Sequence, residues 1–163
     1  MIKTSRFAGN ARRAAVTIVV LAGSSLPSMA QNIVSTLAGA WNGNGRITYT
    51  DGSSEGIRCT AFYTGSGNEL GMAIQCKSDK TPVHIRSKLK ISGNRAAGSW
   101  EERTFNASGT ASGSVGANSM SLAIEGGGLS GSMSVNFGKS SHTVAVNTQG
   151  IAMARASMSF SRQ

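Results

Sequence analysis

Residues 55–77 read EGIRCTAFYTGSGNELGMAIQCK, and this stretch decides the fold. Apolar residues occupy alternate positions on both sides of a turn-forming segment, residues 64–69, which predicts two antiparallel strands joined as a hairpin. Cys59 and Cys76 are the only two cysteines of the chain. Placing them opposite each other also aligns the apolar faces of the two strands, through the pairs Ala61–Ile74 and Tyr63–Met72. The sequence therefore predicts a structural disulfide between Cys59 and Cys76 inside this hairpin.

The same alternation continues along the chain between short segments rich in Gly, Ser and Asn. It predicts ten strands, at residues 41–50, 55–63, 70–77, 83–91, 96–105, 108–115, 119–125, 129–137, 141–147 and 151–161. One helical turn is predicted before them, within residues 31–38. Short strands at regular spacing, without a long helical segment, predict an all-β domain with mostly antiparallel strands. We expect a single up-and-down barrel of about eight to ten strands, with a β-sandwich as the alternative.

Two strands show which side chains face inward. In residues 83–91 the apolar positions and Ser87 share one face, while the opposite face carries His84, Arg86, Lys88 and Lys90. In residues 151–161 the predicted inward positions grow from small to large, as Ala152, Ala154, Ala156, Met158 and Phe160. Small inward residues predict either tight packing or room for a guest molecule.

The first 30 residues have the pattern of an export signal. Four cations, Lys3, Arg6, Arg12 and Arg13, precede an uncharged apolar run at residues 14–22, and the segment ends in Ser28-Met29-Ala30. The apolar run is much shorter than the roughly 20 residues of a membrane-spanning helix. We therefore expect cleavage after Ala30 and a mature single domain, residues 31–163, that is periplasmic or secreted.

The mature part of the chain is less basic than the full sequence. The full chain has a formal net charge of +9, and four of its 16 Lys and Arg residues lie in the predicted signal, so the mature part stays moderately basic. A row of cations on one strand pair, Lys77, His84, Arg86, Lys88 and Lys90, could hold an anionic envelope surface. No aromatic residue interleaves with this row, so nucleic acid is not expected as a partner. The alternative for the row is a solvated strand face, partly neutralised by Glu101.

Motifs that suggest catalysis lack their structural context. Residues 52–56 match G-x-S-x-G and residues 126–131 match G-x-G-x-x-G, but neither is followed by the helix that the chemistry requires. His84 and His142 have no carboxylate or cysteine at ligand spacing and are predicted to be solvated. No enzyme activity, metal or cofactor is expected.

The opening of the first strand, Gly39-Ala40-Trp41, resembles the G-x-W signature of lipocalins and avidins, which are antiparallel barrels that hold a small ligand. The resemblance implies that Trp41 closes the base of the barrel. The other lipocalin motifs, T-D-Y and a lone arginine on a late strand, are not recognisable. The wider pattern, with Trp41-x-Gly43-x-Gly45 and Gly98-Ser99-Trp100-Glu101-Glu102, is similar to short uncharacterised exported β proteins of proteobacteria, a resemblance that brings no activity with it.

The interior of the predicted barrel contains one polar position of interest. Neighbours on a strand point to opposite faces, so Glu102 faces inward if Trp100 does, and a buried carboxylate then needs a partner or a raised pKa. In the alternative, Trp100 lies on the outer face of the barrel, or Glu102 lies at its solvent-exposed rim.

Three classes of function are compatible with these features. The favoured one is a soluble, non-enzymatic barrel that binds a small apolar or amphipathic ligand or an envelope component, in a cavity lined by Trp41, Tyr63, Trp100 and Glu102. The alternative is a structural or interaction protein that acts through its surface, in envelope maintenance or as a protease inhibitor. A small outer-membrane barrel with its apolar face turned to lipid is the third.

Overall fold

A computed structural model describes residues 29–79 and 82–163. It contains one helix, α1 (Met29–Leu37), and ten strands. The strands are β1 (Gly39–Tyr49), β2 (Ser54–Ser66), β3 (Glu69–Lys77), β4 (Val83–Ser92), β5 (Arg95–Glu102), β6 (Ala107–Val115), β7 (Ser119–Gly126), β8 (Leu129–Phe137), β9 (Ser141–Gln149) and β10 (Met153–Arg162). The all-β prediction is confirmed, and the number of strands is at the upper end of the predicted range.

Each strand pairs antiparallel with its neighbours in the chain, and β10 returns to pair with β1. The sheet is therefore a closed up-and-down barrel, and the β-sandwich alternative is wrong. Closure leaves no unpaired strand edge, because every strand has two partners. Inward and outward side chains alternate along every strand, as the sequence pattern requires.

The hairpin that decided the fold has the predicted register. Cys59 lies opposite Cys76, with their Cα atoms 4.1 Å apart, and the two residues form a disulfide. The same register sets the predicted apolar pairs opposite each other, Ala61 with Ile74 and Tyr63 with Met72. All of these side chains are buried inside the barrel.

The two ends of the barrel differ in how they are filled. Helix α1 contacts β2 and β3, and its Ile33, Val34 and Leu37 are buried in the same apolar core as Trp41. The Trp41 indole Nε1 donates a hydrogen bond to the carbonyl oxygen of Leu37, at 2.8 Å. This end is closed by the helix and by large side chains, which agrees with the expectation that Trp41 closes the base.

Two details differ from the predictions. The helix comprises nine residues, longer than the single predicted turn, because its apolar residues pack onto the end of the barrel. The register between β1 and β10 shifts between Thr48 and Tyr49, so that Tyr49 pairs with Met153. Ala154, which was predicted to face inward, is the extra residue at this shift and has no partner in the register. Ala152 and Met153 line the cavity at the open end.

The predicted export signal lies almost entirely outside the described residues; the described part contains only Met29 and Ala30, which begin α1. Among the helices within residues 29–79 and 82–163, none has the length and apolar character needed to cross a bilayer.

Candidate functional site

The barrel contains a cavity of about 530 Å³ at the end opposite α1. Its wall is mainly apolar and comes from strands on all sides of the barrel. The lining residues include Ile47, Met72, Ile85, Trp100, Ala111, Ile124, Met133, Val146 and Met153. Ligand pockets in proteins commonly have volumes of about 300–1,000 Å³, so the size fits a small molecule.

The space exists because this half of the barrel carries small inward side chains. Ala107, Ala111 and Gly127 line the cavity, and Gly109 lies directly opposite Trp100 on the neighbouring strand. Three methionines, Met72, Met133 and Met153, form part of the wall. Unbranched thioether side chains adapt to guests of different shape, so the wall is deformable as well as apolar.

Three aromatic residues line the cavity at or near the open end, Tyr49, Trp100 and Phe105. The Trp100 ring lines the cavity, and its Nε1 donates to the carbonyl oxygen of Thr110 at 3.2 Å. Phe105, in the turn between β5 and β6, also lines the cavity although 66% of its surface is exposed. Phe105 was not predicted as a site residue, because the alternation of residues 96–105 extends the predicted strand to it. The left-handed backbone of Asn106, with φ of 53°, marks a turn at this point.

Glu102 faces the interior, as Trp100 does, and Glu101 faces outward. The Glu102 carboxylate accepts hydrogen bonds from the backbone N–H of His84, at 2.8 Å, and of Phe105, at 2.7 Å. Burial by itself would raise the pKa of Glu102, but these backbone donors, with Thr104, lower it below its usual value. The buried carboxylate is therefore charged and has its partners in the backbone of the cavity mouth.

Trp41 and Tyr63 do not line this cavity. Both are fully buried at the closed end, where they surround His142. The Tyr63 hydroxyl lies 2.9 Å from Nε2 of His142, and the His142 ring is stacked on Phe160 with centroids 4.6 Å apart. The expectation that Trp41, Tyr63, Trp100 and Glu102 surround one space thus differs from the structure, because large rings fill one end and leave the other open.

The prediction that His142 is solvated is wrong, since only 2% of its surface is exposed. Burial, and to a lesser extent the charge of Arg162, lowers the pKa of His142 to about 4. His142 lies on the same face of β9 as Val144 and Val146. The alternation of these residues in the sequence could therefore have predicted that His142 faces inward.

Arg162 on the last strand lies over the Trp41 ring, with its guanidinium carbon 4.2 Å from the ring centroid. This arginine was not identified from the sequence, because residues 160–163, Phe-Ser-Arg-Gln, form no recognisable motif.

The outer cationic row has a different register from the predicted one. Gln75, not Lys77, lies opposite His84, and Lys77 lies opposite Arg58. The cation Arg86 lies opposite Glu101, and Lys90 lies opposite Glu69. Lys88 alone of the predicted row is flanked on both sides by uncharged residues, Gly71 and Ser99. Glu101 and Glu69 thus lie beside cations of this face, and the ion pair that Glu101 forms is with Arg103, at 2.9 Å.

Within the described residues, no group of three or more His, Cys, Asp or Glu side chains is arranged to hold a metal ion.

Comparison with known proteins supports the fold and adds no activity. Neither a family model nor a curated protein sequence matches the chain. The crystal structure of Rv2717c from M. tuberculosis superposes with a TM-score of 0.69 at 13% sequence identity, over 82% of this chain and 97% of that chain. At this level of identity the similarity establishes a shared barrel fold.

Proposed function

We propose that the chain is an exported, non-enzymatic binding protein whose barrel holds a small apolar or amphipathic molecule. The observation that carries the proposal is the cavity of about 530 Å³, apolar for most of its wall and placed at the end of the barrel opposite α1. A barrel whose own side chains do not fill its interior can hold a small ligand there.

The contrast between the two ends supports this proposal. At the closed end the inward positions carry Trp41, Tyr63, His142 and Phe160, which leave at most 2% of their surfaces exposed. At the open end the inward positions of β6 carry Ala107 and Ala111. Unfilled apolar volume lowers stability, by about 24 cal/mol per Å³ in one measured series of core variants. Binding of a guest would offset this cost.

Export is part of the same proposal. It is supported by the signal pattern of residues 1–30 and by the disulfide, a bond that persists in oxidising compartments.

The test uses the uncharged fluorophore N-phenyl-1-naphthylamine, whose emission increases in apolar surroundings. We expect the mature protein to bind it, and Ala111→Phe to weaken binding at least tenfold because the new ring occupies the cavity. Ser112→Phe is the matched control, since Ser112 is exposed on the outer face of the same strand. Equal binding by both variants, or no binding by the unmodified protein, would refute the proposal. Native mass spectrometry of protein purified from its own periplasm would then identify a natural guest as a mass excess that disappears on denaturation.

A second candidate function, contact with an anionic envelope surface, has one observation in its favour. The outward positions of β3 and β4 carry four cations, Lys77, Arg86, Lys88 and Lys90, and one carboxylate, Glu69, whereas the outward positions of β8 and β9 carry no Lys, Arg, Asp or Glu. The test is co-sedimentation with phosphatidylglycerol vesicles. We expect the double variant Arg86→Glu, Lys88→Glu to lose any binding, and the double variant Lys139→Glu, Arg155→Glu, with the same change in net charge, to keep it. Equal losses would indicate a net-charge effect without a specific face.

A further inference from the structure

Ser87 is the buried polar residue that the fold leaves without a partner. It lies on the inward face of β4, between Met72 on β3 and Trp100 on β5, and lines the cavity. Only 7% of its surface is exposed, and its Oγ makes no hydrogen bond within the described residues. Buried hydroxyl groups in proteins nearly always have a hydrogen-bond partner. The position of Ser87 in the cavity wall means that an occupant of the cavity can supply this partner.

The other polar side chains of the wall have partners in the protein. Glu102 accepts from the backbone at the mouth. The Thr148 hydroxyl donates to the carbonyl oxygen of Met153, and the Tyr49 hydroxyl donates to the carboxylate of Glu55. The Ser87 hydroxyl, which both donates and accepts, is therefore the group left to recognise a polar atom of the guest.

The electrostatics of the cavity select against an anionic guest. Among the described residues that line the cavity there is no Lys, Arg or His, and the charged one is Glu102. Glu102 lies directly opposite Ile85, and Ser87 is the next inward residue of β4 after Ile85. Ser87 and Glu102 are therefore diagonal neighbours on the inner face of two paired strands. Diagonal neighbours of this kind are about 7–8 Å apart at their Cα atoms. A carboxylate that paired with Ser87 would thus lie near Glu102, and no cation among the described lining residues would compensate it.

We infer that the cavity takes an uncharged molecule with an apolar body and one neutral oxygen, a ketone, ester or alcohol, which forms a hydrogen bond with Ser87 Oγ. The same site disfavours fatty-acid-like carboxylates, because Glu102 repels them. This inference rests on the proposed function, and it specifies the chemical class of the ligand.

Three probes separate the contributions of the apolar body, the neutral oxygen and the negative charge. They are butylbenzene, butyrophenone and 4-phenylbutyrate, each with ten carbons and one benzene ring. Their affinities are measured at pH 7 by displacement of N-phenyl-1-naphthylamine. For the unmodified protein we expect 4-phenylbutyrate to bind at least tenfold more weakly than butyrophenone. We expect Ser87→Ala to weaken butyrophenone about five- to tenfold, the contribution of one neutral hydrogen bond, and to leave butylbenzene unchanged.

Three further variants make the result specific. Ser87→Thr keeps the hydroxyl and should restore most of the affinity for butyrophenone. Ser99→Ala removes a hydroxyl from the outer face of β5, next to Trp100 in sequence, and should change no affinity. Glu102→Gln removes the negative charge and should strengthen 4-phenylbutyrate relative to butyrophenone.

The outcomes distinguish this inference from the proposed function. If Ser87→Ala changes the affinities for butyrophenone and butylbenzene equally, or changes neither, then water alone supplies the hydrogen-bond partner of Ser87 and the inference is wrong. Binding of 4-phenylbutyrate as tight as that of butyrophenone also overturns it. If the fluorophore binds and none of the three probes displaces it, the inference fails while the cavity proposal stands. If the fluorophore does not bind, the proposed function fails first.

Discussion

The guanidinium of Arg162 covers the Trp41 ring at 4.2 Å and so joins the last strand to the first. The same group donates to three backbone carbonyl oxygens, those of Ala38 at 2.8 Å, Thr36 at 2.6 Å and Lys139 at 2.9 Å. Two of these carbonyls lie at the end of α1. One side chain therefore holds the helix against the closed end of the barrel.

We expect Arg162→Ala to lower the free energy of unfolding by about 1–2 kcal/mol, the sum of an exposed cation–π contact and hydrogen bonds from a charged donor. Arg162→Lys should recover little, because an ammonium group cannot reach several carbonyls with the fixed geometry of a guanidinium. Urea denaturation measures both. Arg155→Ala is the control, since Arg155 lies on the outer wall of the same strand and donates a hydrogen bond to the side chain of Asn147. A loss for Arg155→Ala as large as that for Arg162→Ala would contradict this account.

The disulfide should contribute through the chain it closes. Cys59 and Cys76 are 17 residues apart, and a loop of this size corresponds to about 3 kcal/mol in the chain-entropy description. We expect the double variant Cys59→Ala, Cys76→Ala to lose about this much stability in urea. Reductant should destabilise the unmodified protein to a similar degree and leave the double variant unchanged. An unmodified protein that does not respond to reductant after unfolding and refolding would show that the bond is absent.

His142 makes stability depend on pH. Its pKa falls to about 4 in the folded protein from a usual value of 6.5, so the unfolded chain binds a proton in a range where the folded chain does not. The contribution is fully present above pH 6.5 and is lost as the pH falls towards 4. Between pH 7 and pH 5 the free energy of unfolding should decrease by about 2 kcal/mol from this group.

Urea denaturation at both pH values tests this dependence. His142→Gln should remove most of it whatever the variant's stability at pH 7, and His84→Gln, a change on the outer wall, should retain it. If His142→Gln keeps the full decrease between pH 7 and pH 5, another group is responsible.

The sequence predicts much of this fold because period-two alternation and a cysteine pair constrain the same register. Cys59 opposite Cys76 fixed one strand pair, and the alternation of β4 correctly placed Ser87 inside, among apolar neighbours. The division of the interior into a filled and an open end was not predictable. Alternation identifies the inward face of a strand but does not give the height of each residue in the barrel, so alternation alone did not separate Trp41 from Trp100.

Arg162 and Phe105 illustrate the same limit. Arg162 acts through its place opposite Trp41 in the pairing of β10 with β1, a contact between residues 121 positions apart in the chain. Phe105 depends on the local end of β5, which the alternation did not show. Both positions depend on contacts or backbone geometry outside the period-two pattern.

Glu102 should stabilise the mouth of the cavity in its charged form. At pH 7 we expect Glu102→Gln to cost about 1–2 kcal/mol, because the backbone N–H groups of His84 and Phe105 then donate to a neutral amide oxygen in place of a carboxylate. The folded-state pKa of Glu102 is below its usual 4.5, so its contribution is present above pH 4.5 and is lost as the pH falls further. The difference between the unmodified protein and the variant should therefore shrink below pH 4.5, and the effect of His142 cancels because both proteins contain it. Glu101→Gln is the matched control, since Glu101 faces outward and pairs with Arg103 at the surface. It should change stability by less than about 1 kcal/mol, as expected for an exposed ion pair.

An equal loss of stability for Glu102→Gln and Glu101→Gln would show that the backbone hydrogen bonds to Glu102 do not stabilise the mouth of the cavity.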